Sequence, residues 1–68
     1  MTRISYGYHG APSNLTREQR LTVARVDGQA RFPKATNVVA TLDPDAPATG
    51  PILVEVTIKD SDTAEYYR

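Results

Sequence analysis

The most regular alternation of hydrophobic and polar positions runs from Ile52 to Asp60. Ile52, Val54, Val56 and Ile58 alternate with Leu53, Glu55, Thr57 and Lys59, which sets four β-branched side chains on one face of an extended segment. A period of two predicts a half-buried strand, and β-branched residues suit a packed, pleated surface. The segment is therefore expected at the centre of a sheet. Residues 1–9 repeat the pattern more weakly, with Ile4, Tyr6 and Tyr8 set against Arg3, Ser5 and Gly7. Asn37–Leu42 gives a further strand, with Val38, Ala40 and Leu42 on one face.

Between residues 1–9 and Asn37–Leu42 the sequence supports two structures. Thr16-Arg17-Glu18-Gln19 has the spacing of a capping box, in which side chains at both ends satisfy orphan amides of a first helical turn. A helix could continue from Arg17 to Val26, with Leu21 and Ala24 three apart. The competitor is a hairpin centred on Asp27-Gly28, a pair favoured in two-residue turns because both positions need positive φ. Pairing Val26 with Gln29 collects Leu21, Val23, Ala30 and Phe32 on one face, and that more apolar face makes the hairpin the preferred reading. At most one or two helical turns then precede it, and Pro33, lacking an amide donor, ends its second strand.

The remaining segments read as punctuation. Gly10-Ala11-Pro12-Ser13-Asn14 is a loop by composition. Residues 43–51 hold three prolines and a glycine, which stiffens them into a protruding arm. Asp60-Ser61-Asp62 is a turn, and Thr63–Arg68 an edge strand or tail. The expected fold is all-β, or β-rich with at most one short helical turn: a small antiparallel sheet or open barrel of about five short strands. It forms a single domain over 1–68, with extended termini at 1–13 and 61–68 and a proline-rich loop at 43–51.

Size constrains this picture. The chain has 68 residues and no cysteine, whereas a lone core below roughly 70–80 residues rarely supplies more than about 3–5 kcal/mol. Disulfides are impossible and no Cys/His set exists for structural zinc, so a partner surface becomes the leading source of extra stability. With 40% hydrophobic and 24% charged residues, the composition argues against disorder throughout. No signal-peptide pattern is visible and the longest apolar runs are three residues, as at Ile52–Val54. The expectation is a cytoplasmic or virion location without a membrane partner.

Catalytic chemistry finds little footing. His9 is the sole histidine, flanked by flexible residues that give no preorganised setting for a general base. Asp43/Asp45 and Asp60/Asp62 lack the further ligands and the glycine of a calcium loop, so they read as turn formers. The glycines at 7, 10, 28 and 50 are isolated, which excludes a phosphate-cradling loop. No enzymatic activity, cofactor or metal is expected.

Charge distribution is more informative. Residues 1–34 carry six basic and two acidic side chains, a net +4; residues 35–68 carry two and six, a net −4. Such a division prompts the question of partners, unless antiparallel strands simply interleave the charges. Tyr6, Tyr8, Tyr66 and Tyr67 are the expected contact residues, since Tyr gives rigid area with a polar tip. Arg17, Arg20 and Arg31 are the expected electrostatic half. The chain is thus expected to be a non-enzymatic accessory subunit of a larger protein assembly, a bacteriophage capsid or tail component being one example. A small phage or bacterial inhibitor of a large host complex is an alternative. A small β-barrel binding single-stranded nucleic acid is another, disfavoured by the zero net charge.

Overall fold

The computed structural model describes residues 1–42, 45, 47 and 50–66. Its elements are β1 (Thr2–Tyr8), α1 (Arg17–Arg31), β2 (Asn37–Thr41), β3 (Ile52–Ile58) and the one-turn α2 (Asp60–Thr63). The sheet order is β1-β3-β2, with both pairings antiparallel. β3 is therefore inserted between two strands that run parallel to each other. The result is an open three-stranded sheet with helix on one face, not a barrel, and it belongs with α+β architectures.

All three alternating segments form strands, and β3 is the central one. Ile52, Val54, Val56 and Ile58 are fully buried on its inner face, together with Ala24 from α1. Each such aliphatic side chain contributes roughly 1.5–3 kcal/mol relative to exposure. Ile4, Tyr6, Tyr8, Val38 and Ala40 pack around them half-buried.

The expected hairpin at Asp27-Gly28 is absent; a fifteen-residue helix runs through it. Two local facts explain the outcome. The capping box forms in full: the Gln19 amide donates to Thr16 Oγ1 at 3.2 Å, and the Thr16 amide donates to Gln19 Oε1 at 3.0 Å. The inward stripe of α1 is Arg20, Ala24 and Gly28, spaced by four. Gly28 serves close approach and makes no turn, since no glycine among the described residues has positive φ. A Cβ there would lie 2.9 Å from Cγ1 of both Val38 and Val54. Pro33 accordingly follows a helix C-terminus, where the Phe32 amide donates to the Gly28 carbonyl at 3.0 Å.

Among the described residues the count of about five strands thus falls to three. Asp60-Ser61-Asp62, expected as a turn, begins α2, and turns then lead the chain to Tyr66 with no strand among the described residues there. Much of the proline-rich arm lies outside the described residues.

The helix lies over β2 and β3, with Gly28 seated between Val38 and Val54. β1 is joined to the body mainly through its ladder with β3, Thr2 opposite Ile58 through Tyr8 opposite Ile52. The chain start is stapled to α2: the Thr2 hydroxyl donates to Asp60 Oδ1 at 3.0 Å, and the terminal ammonium lies 3.2 Å from the same carboxylate. The Thr2 hydrogen bond and the ammonium hold the Asp60 carboxyl below its ordinary range.

Gly28→Ala is expected to destabilise the protein. Crowding two valine methyl groups in a packed layer costs about 1–3 kcal/mol and opposes a helix-propensity gain of about 1 kcal/mol. Urea or thermal unfolding checks this, and a raised midpoint would contradict the close approach.

Candidate functional site

Tyr6 projects from the inner face of β1 toward the last turns of α1. Its hydroxyl donates to Asp27 Oδ2 at 2.7 Å, and Arg31 Nε forms an ion pair with the same oxygen at 2.7 Å. The Asp27–Arg31 pair is the i,i+4 spacing that places side chains together on a helix. The guanidinium also lies over the Tyr6 ring, 5.1 Å from its centroid, a cation–π geometry. Burial first, then the Asp27 hydrogen bond and charge, push the Tyr6 phenol up from 10.0 to about 12. A phenol so held is a hydrogen-bond donor at neutral pH rather than a base or nucleophile.

Phe32 extends this group. Its ring centroid is 6.4 Å from Tyr6 and 5.0 Å from Tyr66, the latter in an edge-on arrangement. The Lys34 amide donates to Tyr66 Oη at 3.2 Å, and the Lys34 ammonium pairs with Glu65. Three residues singled out by type, Tyr6, Arg31 and Tyr66, are therefore gathered into one cluster with Asp27 and Phe32. They form an internal clamp joining β1, the end of α1 and the turn after α2. Asp27 is its hub, and its only sequence signal is the four-residue spacing to Arg31, visible once a helix is assumed.

The other predicted residues lie apart. Tyr8 is half-buried beside Gly10, where a Cβ would stand 2.8 Å from Tyr8 Oη. Arg17 is exposed at the start of α1. Arg20 is in the interior, 4% exposed, with Nη2 donating to the Gly50 carbonyl at 3.3 Å. Its Nε and Nη1 are buried and find no hydrogen-bond partner among the described residues. Tyr67 lies outside the described residues. The charge division is partly closed by folding, since Lys34–Glu65 and the terminal ammonium–Asp60 contact each join the two halves.

Two surfaces remain open. The sheet face away from α1 carries Arg3, Ser5 and Gly7 on β1, Leu53, Glu55 and Thr57 on β3, and Asn37, Val39 and Thr41 on β2. This mixed face suits water, although Leu53 and Val39 are 45% and 41% exposed. The second is the outer edge of β1, where no strand pairs among the described residues. β1 runs seven residues in unbroken register, without a bulge, proline or lysine, the devices that commonly blunt an edge. Its inward row of Ile4, Tyr6 and Tyr8 stays half-exposed because α1 sits over the other two strands. Among the described residues no three His, Cys, Asp or Glu side chains group to hold a metal, and no helix is long and apolar enough to cross a membrane.

Compared with family models, curated proteins and solved structures, the chain matches none.

Two outcomes test the interior of this region. Stability from the Tyr6–Asp27 bond is complete below pH 10 and is lost as pH rises toward about 12, because the folded phenol titrates late. Ultraviolet phenolate titration should show one late tyrosine that Tyr6→Phe removes, with a stability loss of roughly 1.5–3 kcal/mol for a bond to a charged group. Arg20→Met, which replaces a buried guanidinium, two of whose nitrogens lack a hydrogen-bond partner among the described residues, by an apolar chain of similar length, should raise stability. The effect is expected at about 1–4 kcal/mol, the range seen when buried ionic groups give way to packed apolar ones. A lowered melting temperature would show that the guanidinium is compensated.

Proposed function

We propose that this chain is a non-enzymatic protein-interaction module, an accessory subunit that docks through the free edge of β1. The observation that carries the reading is the combination at that edge. Along these seven residues the outward backbone donors and acceptors meet no strand among the described residues, and they are flanked by a half-buried row of Ile4, Tyr6 and Tyr8. Strand addition to such an edge draws affinity from main-chain hydrogen bonds and selectivity from alternate side chains. A chain this small, with no disulfide, gains stability from any partner that binds its folded form.

The nucleic-acid alternative has less support. Tyr6, Tyr66 and Arg31 would supply stacking and phosphate contacts, but their polar tips are engaged with Asp27, Lys34 and one another. Stacking platforms for single strands need open ring faces beside uncommitted basic groups.

The test is a photo-crosslinking residue placed at position 5 on β1 and, as a control, at position 22 on the outer side of α1, in the cells that make the protein. Position 5 is expected to trap protein chains at a yield well above position 22. Equal yields at the two positions would count against β1 as the docking element.

A further inference from the structure

We infer that two copies of this chain join edge to edge through β1, antiparallel about a two-fold axis at Ser5, to form one six-stranded sheet. The inference rests on β1 being the docking element and names its occupant as a second copy.

Register is the first argument. Directly opposed residues of an antiparallel pair share a face, so inward residues meet inward ones only where opposed residue numbers sum to an even value. Among such registers, the one centred on Ser5 is the one that pairs all seven residues of β1. It sets Thr2 opposite Tyr8, Arg3 opposite Gly7 and Ile4 opposite Tyr6 of the other copy.

That register also avoids like-charge contact and fits in shape. Arg3 is the one charged residue of β1, and the two-fold axis sends the two copies of it to opposite ends of the seam. Each guanidinium then faces a glycine, whose missing side chain leaves it room. On the inner face, Ile4 against Tyr6 is a β-branched–aromatic cross-strand pair, among the favourable combinations.

The helices permit the arrangement. An axis normal to the sheet keeps both copies of α1 on one face, in the strand order β2-β3-β1-β1-β3-β2. Each α1 is centred between its own β2 and β3, as the seat of Gly28 between Val38 and Val54 requires. With strands about 4.8 Å apart, the helix axes stand roughly 19 Å from each other, well beyond the 8–10 Å of packed helices. The space between them holds the half-buried Ile4, Tyr6 and Tyr8 of both copies, with Phe32 and Tyr66 of each packed beside them. β2 offers a poorer edge: it is five residues long, and its inner side already lies under α1.

Position 7 gives a test that leaves the buried face untouched, because Gly7 points away from α1 and a Cβ there meets only the His9 ring, at 3.6 Å. Sedimentation equilibrium of the full chain should show a dimer. Gly7→Glu, which opposes Arg3 with a carboxylate twice per dimer, should tighten it by roughly two- to thirty-fold, and Gly7→Arg should loosen it by a similar factor. Circular dichroism verifies that both variants fold. Ser5→Cys introduces the sole cysteine on the axis and should oxidise to a covalent dimer far faster than Val39→Cys on β2. A dimer indifferent to charge at position 7, or equal oxidation at positions 5 and 39, overturns the proposal. A monomer at all concentrations, with position 5 still trapping other proteins in cells, also overturns it but leaves the interaction reading standing. A monomer whose position 5 traps nothing above the control removes both.

Discussion

Gly28 sets how near α1 can come to the sheet, and that separation governs what the other elements must do. With hydrogen in place of a methyl group, the helix backbone rests on Val38 and Val54 and seals the inner face of β3. The same seat fixes the helix laterally over two strands. One helix of about 10 Å diameter so placed leaves the third strand at the margin of the layer. Full burial of β3 and partial cover of β1 are two results of one contact.

The marginal strand is then held by side chains rather than by cover. At one end, Tyr6 crosses the layer to Asp27 and receives Arg31 on its ring. At the other, Thr2 and the terminal ammonium converge on Asp60. These links differ in kind. The first is partly buried and charge-assisted, the setting in which a hydrogen bond contributes most. The second is exposed and screened by salt, so its role is chiefly to fix the position of the chain start. Together they give a small chain without disulfides two tethers on the strand its helix does not cover.

Much of this was legible in the residues. The alternation at Ile52–Ile58, Asn37–Thr41 and Thr2–Tyr8 specifies strands because a half-buried sheet imposes a period of two, and the unbroken β-branched face of β3 marks it as central. The helix was obscured for a physical reason. A helix that lies very close to a sheet presents small residues inward, here Ala24 and Gly28, and with the charged Arg20 on the same stripe no broad apolar face is left to read. Asp27-Gly28 then resembled a turn, although the Thr16–Gln19 capping box stated the helix start correctly. Strand order, with β1 and β2 on opposite edges of β3, rests on pairings between distant segments that leave no local signature. Among the candidate site residues, Tyr6, Arg31 and Tyr66 were recognisable by type and do come together. Their hub, Asp27, was hidden by the misread turn, and nothing local distinguishes the buried Arg20 from its exposed neighbours Arg17 and Arg25.

The pairing of β1 with β3 also has a consequence in time. Residues 2–8 are joined to residues 52–58, so the strand made first finds its ladder only after the strand made last. At synthesis rates of about 5–20 residues per second, β1 waits several seconds with its backbone donors and acceptors on water. β2 pairs with the same strand but lies closer to it along the chain, so its wait is shorter. β3, made last, completes both ladders, and β1 is the strand that has waited longest for it.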